Sequence, residues 1–173
     1  MVFDNEAELF ISLELPLHEN YVFHAFFFLD FFSYPIHVIV QEAYEKIEAE
    51  KKDKDPVIVL DDSTWHHGII GIVSSRITEK YGLPSILISF DGATRGYPSD
   101  DDLGKGSGRS IKGLNLVEAL ADSEEHLARF GGHELAAGLT IRRGNIDAFR
   151  KQINQYAREQ LTEDMLCISV DAD

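Results

Sequence analysis

The stretch from Pro56 to Phe90 constrains this chain more than any other. "PVIVLD" at 56–61 is a short apolar run behind a proline, the pattern of a buried strand, and "PSILISF" at 84–90 is a second run of the same kind. Between them, "GIIGIVSSRITEKYG" at 68–82 reads as a helix closed by Gly82. Strand, helix and strand within about 35 residues is the length of a crossover unit, which joins parallel strands. The fold class is therefore α/β.

The elements around this unit are less regular. Upstream, "IHVIVQEAYEKIEAEKK" sets Ile36, Val40, Ala43, Tyr44 and Ile47 at helical spacing and ends in alternating charges, giving a helix and linker over 36–55. Downstream, "DGATRGYPSDDDLG" reads as a loop. Asp91 and Gly96 stand at the first and sixth places of a calcium loop, but Ala93, Arg95 and Asp102 fill positions where ligands or a glutamate belong, so calcium is set aside. "GKGSGRSIKG" then reads as a glycine-rich strand or strand edge, "NLVEALADSEEHLARF" as a helix, "GGHELAAG" as a turn and "LTIRR" as a strand. The last element, "NIDAFRKQINQYAREQL", places Ile146, Phe149, Ile153, Tyr156 and Ala157 on one side, as a core-facing helix does.

The first 35 residues show no clean period. Their aromatic run, "YVFHAFFFLDFFSYP", is too short and too interrupted for a membrane span, and it lacks the basic beginning and cleavage site of a secretory signal. No membrane partner is expected. Cys167, the single cysteine, cannot form an internal disulfide and suits a reducing cytoplasm.

Charge narrows the function. A formal net charge of −14 excludes a generic nucleic-acid coat, so any contact with phosphates must be local. One such place exists: between Gly104 and Gly113 stand Lys105, Arg109 and Lys112 and no acid. Taken alone, "KGSGRS" at 105–110 fits two readings, an ordinary surface turn or a phosphate cradle in which glycines admit a ligand, serines offer hydroxyls and cations attract an anion.

Two other stretches carry candidate chemistry, "TWHHG" at 64–68 and "RFGGHELAAG" at 129–138. His66 and His67 are adjacent and point differently, while His126 and His133 lack the carboxylate pattern of a zinc protease, so no metal site is expected. Gly131 and Gly132 remove side chains from around His133, which favours a ligand-facing imidazole over one that only braces a turn. Trp65 reads as core. Neither a nucleophile elbow nor a Walker loop is present.

In order and spacing, "TWHHGIIGIVSSRITEKYGLPSILIS", "GKGSGRSIKGLNLVEAL", "HLARFGGHELAAGLTI" and "IDAFRKQINQYA" resemble the DHH-associated domain of the RecJ single-strand-specific exonucleases, over residues 56–165. The resemblance implies a mixed sheet of about five strands flanked by helices. It makes 36–55 the end of the connector helix that joins the two domains of such enzymes, leaves 166–173 as a tail, and leaves 1–35 unassigned, as in a truncated or frame-altered product.

The resemblance also implies the site. Lys105, Gly106, Ser107, Gly108, Arg109 and Ser110 would hold phosphate, and Gly131, Gly132 and His133 would lie beside the scissile nucleotide, with Trp65 and His66 as further contacts. The family's Asp-His-His triplet and spaced aspartates do not occur here, so catalytic and metal residues are expected to be absent. Manganese or magnesium would belong to a separate catalytic DHH domain, the expected partner together with single-stranded DNA. The implied function is the substrate-binding half of a 5′ to 3′ single-strand exonuclease in recombination and repair, inactive alone. A stand-alone module for short oligonucleotides or cyclic dinucleotides is the alternative.

Overall fold

The computed structural model describes residues 36–90 and 98–161. The readings for residues 1–35, for the start of the loop at 91–97 and for 162–173, Cys167 included, lie outside them.

The crossover unit forms as its pattern predicts. Strand β1, Ile58–Asp62, pairs in parallel with β2, Ser85–Ser89, and helix α2, Ile70–Tyr81, joins them. Gly82 ends α2 at φ 64°, its amide donating to the Thr78 carbonyl. Helix α1 covers 36–50. Strand β3, Leu103–Arg109, runs antiparallel to β2, and the hairpin of β4, Leu127–His133, and β5, Ala136–Arg142, completes a five-stranded sheet in the order β1-β2-β3-β5-β4. Helix α3 is Leu116–Asp122, and α4 is Ile146–Gln160.

Two local readings are corrected. The expected helix over 115–130 stops at Asp122, and residues 127–133 are strand β4. Asn115 caps the helix as such a residue should, its side chain accepting from the amides of Val117 and Glu118. The strand was disguised by a bulge: register shifts between Leu127 and Arg129, so Leu127 and Phe130 both pack against the core although three residues apart. Three is a helical spacing. "GGHELAAG" is likewise no simple turn, because 131–133 finish β4, Glu134 and Leu135 connect, and Ala136–Gly138 open β5.

Each face of the sheet has its own core. On one, Val57, Val59, Ile86, Ile88, Leu139 and Ile141 meet Leu116 and Leu120 of α3 and Phe149 and Ile153 of α4. On the other, Ile58, Leu60 and Leu87 meet Ile39, Ala43 and Ile47 of α1 and Val73 and Ile77 of α2. Helix α2 is tied to β2 by reciprocal bonds: Ser74 Oγ donates to the Ser85 carbonyl at 3.1 Å, and Ser85 Oγ to the Ser74 carbonyl at 2.9 Å.

Strand β3 is interior, not an edge, and its glycines serve the first core. A Cβ at Gly104 would lie 2.7 Å from Phe90, one at Gly106 2.7 Å from Leu139, and one at Gly108 2.9 Å from Leu116. Large neighbours fill the space that these three residues leave. The alternate positions, Lys105, Ser107 and Arg109, face the α1/α2 side. There α2 packs on β2 and β3, while Arg129, Gly131, His133 and Gly138 of the outer hairpin are exposed. Half of this face is open.

Candidate anion-binding cleft

Register arranges the open face into three cross-strand rows over β3, β5 and β4. They are Lys105–Thr140–Arg129, Ser107–Gly138–Gly131 and Arg109–Ala136–His133. Paired residues of an antiparallel sheet project to one side, and successive rows are two residues, about 6.8 Å, apart. A cleft of about 490 Å³ lies over the first two rows, with Lys105, Ser107, Arg129, Gly131, Gly138 and Thr140 in its floor and His67 and Ile70, at the start of α2, in its wall. Among the described residues, no aspartate or glutamate lines it. In so acidic a chain, that local balance favours an anion.

Arg109 stands in the third row, beside the cleft, and its Nη1 donates to Ser107 Oγ in the cleft floor at 3.2 Å and to the Gly108 carbonyl at 2.8 Å. A hydroxyl that accepts from a guanidinium turns its own proton outward, so Ser107 is set to donate to a ligand oxygen. Gly71 lets α2 come this close: a Cβ there would lie 3.0 Å from Ser107 Oγ and 3.2 Å from Arg109 Nη2.

The loop before α2 is held from behind. Asp62 Oδ1 accepts from the Thr64 amide at 2.8 Å and the Thr64 hydroxyl at 2.7 Å, while Oδ2 pairs with Lys46 of α1. Burial opposes ionisation of Asp62, but the bonds from Lys46 and Thr64 outweigh it and hold its carboxyl below the ordinary 3.8. Trp65 is fully buried, with Nε1 donating to Glu42 Oε2 at 2.9 Å and its carbonyl accepting from Ser89 Oγ. His66 Nδ1 accepts from the Gly68 amide at 3.1 Å, and its ring stacks on His67 at 4.7 Å between centroids.

Several expected site residues have other roles. Trp65 cannot stack on a base, because it is inside the second core. Gly106 and Gly108 do not supply a backbone cradle: β3 lies between two antiparallel partners, so its amides are taken up by the ladders, and the glycine Cα atoms face the core. Ser110 closes a turn, its amide donating to the Leu135 carbonyl at 2.9 Å and its hydroxyl to the Leu114 carbonyl at 2.8 Å. Gly132 is required by the hairpin: at φ 153°, a Cβ would lie 2.4 Å from the Ala136 carbonyl oxygen. Lys105, Ser107, Arg109, Gly131 and His133 share the open face.

His67, Arg129, Gly138 and Thr140 join them, although none is among the contacts that the resemblance implied. Arg129, Gly131 and His133 alternate along β4, a signal that becomes visible only once 127–133 is read as a strand.

Among the described residues, no three or more His, Cys, Asp or Glu side chains are grouped to hold a metal ion. The described residues therefore do not fit a manganese or magnesium centre. No described helix is long and apolar enough to cross a membrane.

A mixed five-stranded sheet, sealed by helices on one face and half covered on the other, defines an open-faced α/β domain. The chain belongs to the DHHA1 domain family, which matches residues 54–159. The single-stranded-DNA-specific exonuclease RecJ of Bacillus subtilis (strain 168) is 32% identical over 126 residues, covering 73% of this chain and 15% of that protein. RecJ of Escherichia coli (strain K12) is 31% identical over 126 residues, covering 70% of this chain and 20% of that protein. The crystal structure of RecJ from Thermus thermophilus in complex with Mn2+ is similar with a TM-score of 0.58 at 31% identity, covering 72% of this chain and 17% of that one. This chain thus spans a fifth or less of the length of these three relatives.

Proposed function

We propose that this domain holds single-stranded DNA by a terminal 5′-phosphate, as the substrate-binding part of a RecJ-type 5′ to 3′ exonuclease acting in recombination and repair in the cytoplasm. The observation that carries the reading is a cleft with no acid among its described lining residues, in a chain of net charge −14, with the Ser107 hydroxyl oriented by Arg109. Phosphate oxygens accept hydrogen bonds and attract cations, and this floor supplies both donors and charge. The similarity to RecJ proteins supports DNA as the polymer. In this reading the water-activating manganese or magnesium belongs to a catalytic DHH domain that faces the cleft.

The test is a fluorescence titration of the 173-residue chain with 5′-phosphorylated and 5′-hydroxyl strands at one fixed salt concentration. Tighter binding of the phosphorylated strand is expected. Equal affinity for the two would remove the phosphate reading, and a cyclic dinucleotide bound more tightly than either strand would favour a nucleotide-sensing module instead.

A further inference from the structure

We propose that Glu42 and Lys46 of α1 are positioning residues for the cleft: by gripping Trp65 and the residues just before it, they fix His67 in the cleft wall. The inference rests on the anion reading of the cleft and goes beyond it, because α1 supplies none of the described lining residues. Glu42 and Lys46 stand four residues apart, on one side of the helix, and both reach the loop after β1. Glu42 Oε2 accepts from Trp65 Nε1 at 2.9 Å. Lys46 Nζ donates to the Asp61 carbonyl at 2.8 Å, pairs with Asp62 and lies 5.1 Å from the centroid of the Trp65 ring. A single turn of α1 therefore grips the loop through Asp61, Asp62 and Trp65.

Little slack separates this grip from the cleft. Trp65, the single tryptophan of the chain, is fully buried, and its carbonyl accepts from Ser89 Oγ of β2. Two residues on, His67 stands in the cleft wall. The turn that carries it is closed by the Gly68 amide, which donates to His66 Nδ1 at 3.1 Å, and by the Ile69 amide, which donates to the His66 carbonyl at 3.0 Å, and it leads directly into α2. His67 is thus held between Trp65 and the start of α2. A buried indole N–H without an acceptor is costly, so loss of Glu42 would drive Trp65 toward another partner. That movement reaches His67 through two residues of backbone. Hydrogen bonds weaken steeply with misalignment, so an imidazole displaced in the wall donates less well to an anion.

The probe is a 5′-phosphorylated oligothymidine with fluorescein at its 3′ end, into which the full chain is titrated at one fixed salt concentration. Glu42→Leu, which offers the indole no acceptor, is expected to weaken binding about fivefold, and Glu42→Gln, whose amide oxygen accepts, to bind like wild type. His67→Ala is expected to weaken binding by about the same factor. The double variant separates positioning from general destabilisation. Because Glu42 acts through His67, Glu42→Leu should have no further effect once His67 is alanine, whereas two independent losses would multiply. Should Glu42→Leu fail to fold, Glu42→Ala takes its place in the same cycle. Independent losses, wild-type affinity in Glu42→Leu or in His67→Ala, or an equal loss in Glu42→Gln would overturn the positioning role and leave the anion reading standing. Failure of wild type to bind the probe would overturn both.

Discussion

Arg109 donates to the hydroxyl of Ser107, its neighbour two positions back on the same face of β3, at 3.2 Å. The pair works as a unit in which the guanidinium supplies charge and aims a neutral donor. Arg109→Lys keeps the charge but loses the planar guanidinium whose Nη1 reaches Ser107 and the Gly108 carbonyl together. Binding of a 5′-phosphorylated strand is expected to weaken in Arg109→Lys and to weaken further in Arg109→Ala, by about 1.5–3 kcal/mol. Ser107→Ala should cost less. Titration at constant salt checks the order, and three variants that bind like wild type would show that the pair only braces the strand.

The glycines divide into two kinds with opposite expected behaviour. Gly106→Ala drives a methyl into Leu139 at 2.7 Å and should destabilise the fold by about 1–3 kcal/mol through overpacking. Gly131→Ala meets nothing within 4 Å, so its stability should stay within about 0.5 kcal/mol of wild type. Its methyl nevertheless stands on the cleft floor, and ligand affinity should fall. Denaturant unfolding and the same titration, applied to both variants, separate core glycine from floor glycine.

The sequence made the crossover unit legible because its strands are continuous apolar runs bounded by prolines, and α2 closes on a glycine. The site was legible in part. Ser107, Arg109 and His133 stand out by residue type, whereas Arg129 and Thr140 acquire meaning only from register across β5, a non-local fact. The bulge at Ala128 hid β4 by giving Leu127 and Phe130 helical spacing. The glycines of "GKGSG" pointed to ligand approach when the approaching groups are Phe90, Leu139 and Leu116 of the core. Composition alone cannot tell a glycine that admits a ligand from one that admits a side chain.

Asp62 gives the fold a dependence on acid. Its carboxyl is held below 3.8 in the folded protein, despite burial, by Lys46 and Thr64. A depressed folded value contributes stability at pH above the ordinary value and loses it as pH falls through the folded one. Asp62→Asn should therefore be less stable than wild type at neutral pH, and the gap should close below pH 3.8. Urea unfolding of both proteins across that range checks the sign. A gap that is constant with pH would mean that the amide disturbs the loop by packing rather than by losing charge.

The chain by itself is expected to release no nucleotides from single-stranded DNA, with manganese or with magnesium. Hydrolysis by two metal ions needs several carboxylate or imidazole ligands fixed around both. Among the described residues the imidazoles are scattered: His66 and His67 stack on each other, His126 lies 3.7 Å from Glu125, and His133 ends β4. None belongs to a group of three or more ligating side chains. In the proposed function, binding is a separate capacity, held by exposed cations and the Ser107 hydroxyl. Purified chain should thus shift a 5′-phosphorylated strand without shortening it, in a gel that resolves single nucleotides. Metal-dependent shortening that copurifies with the protein, and that Arg109→Ala removes, would show that this chain carries its own hydrolytic centre.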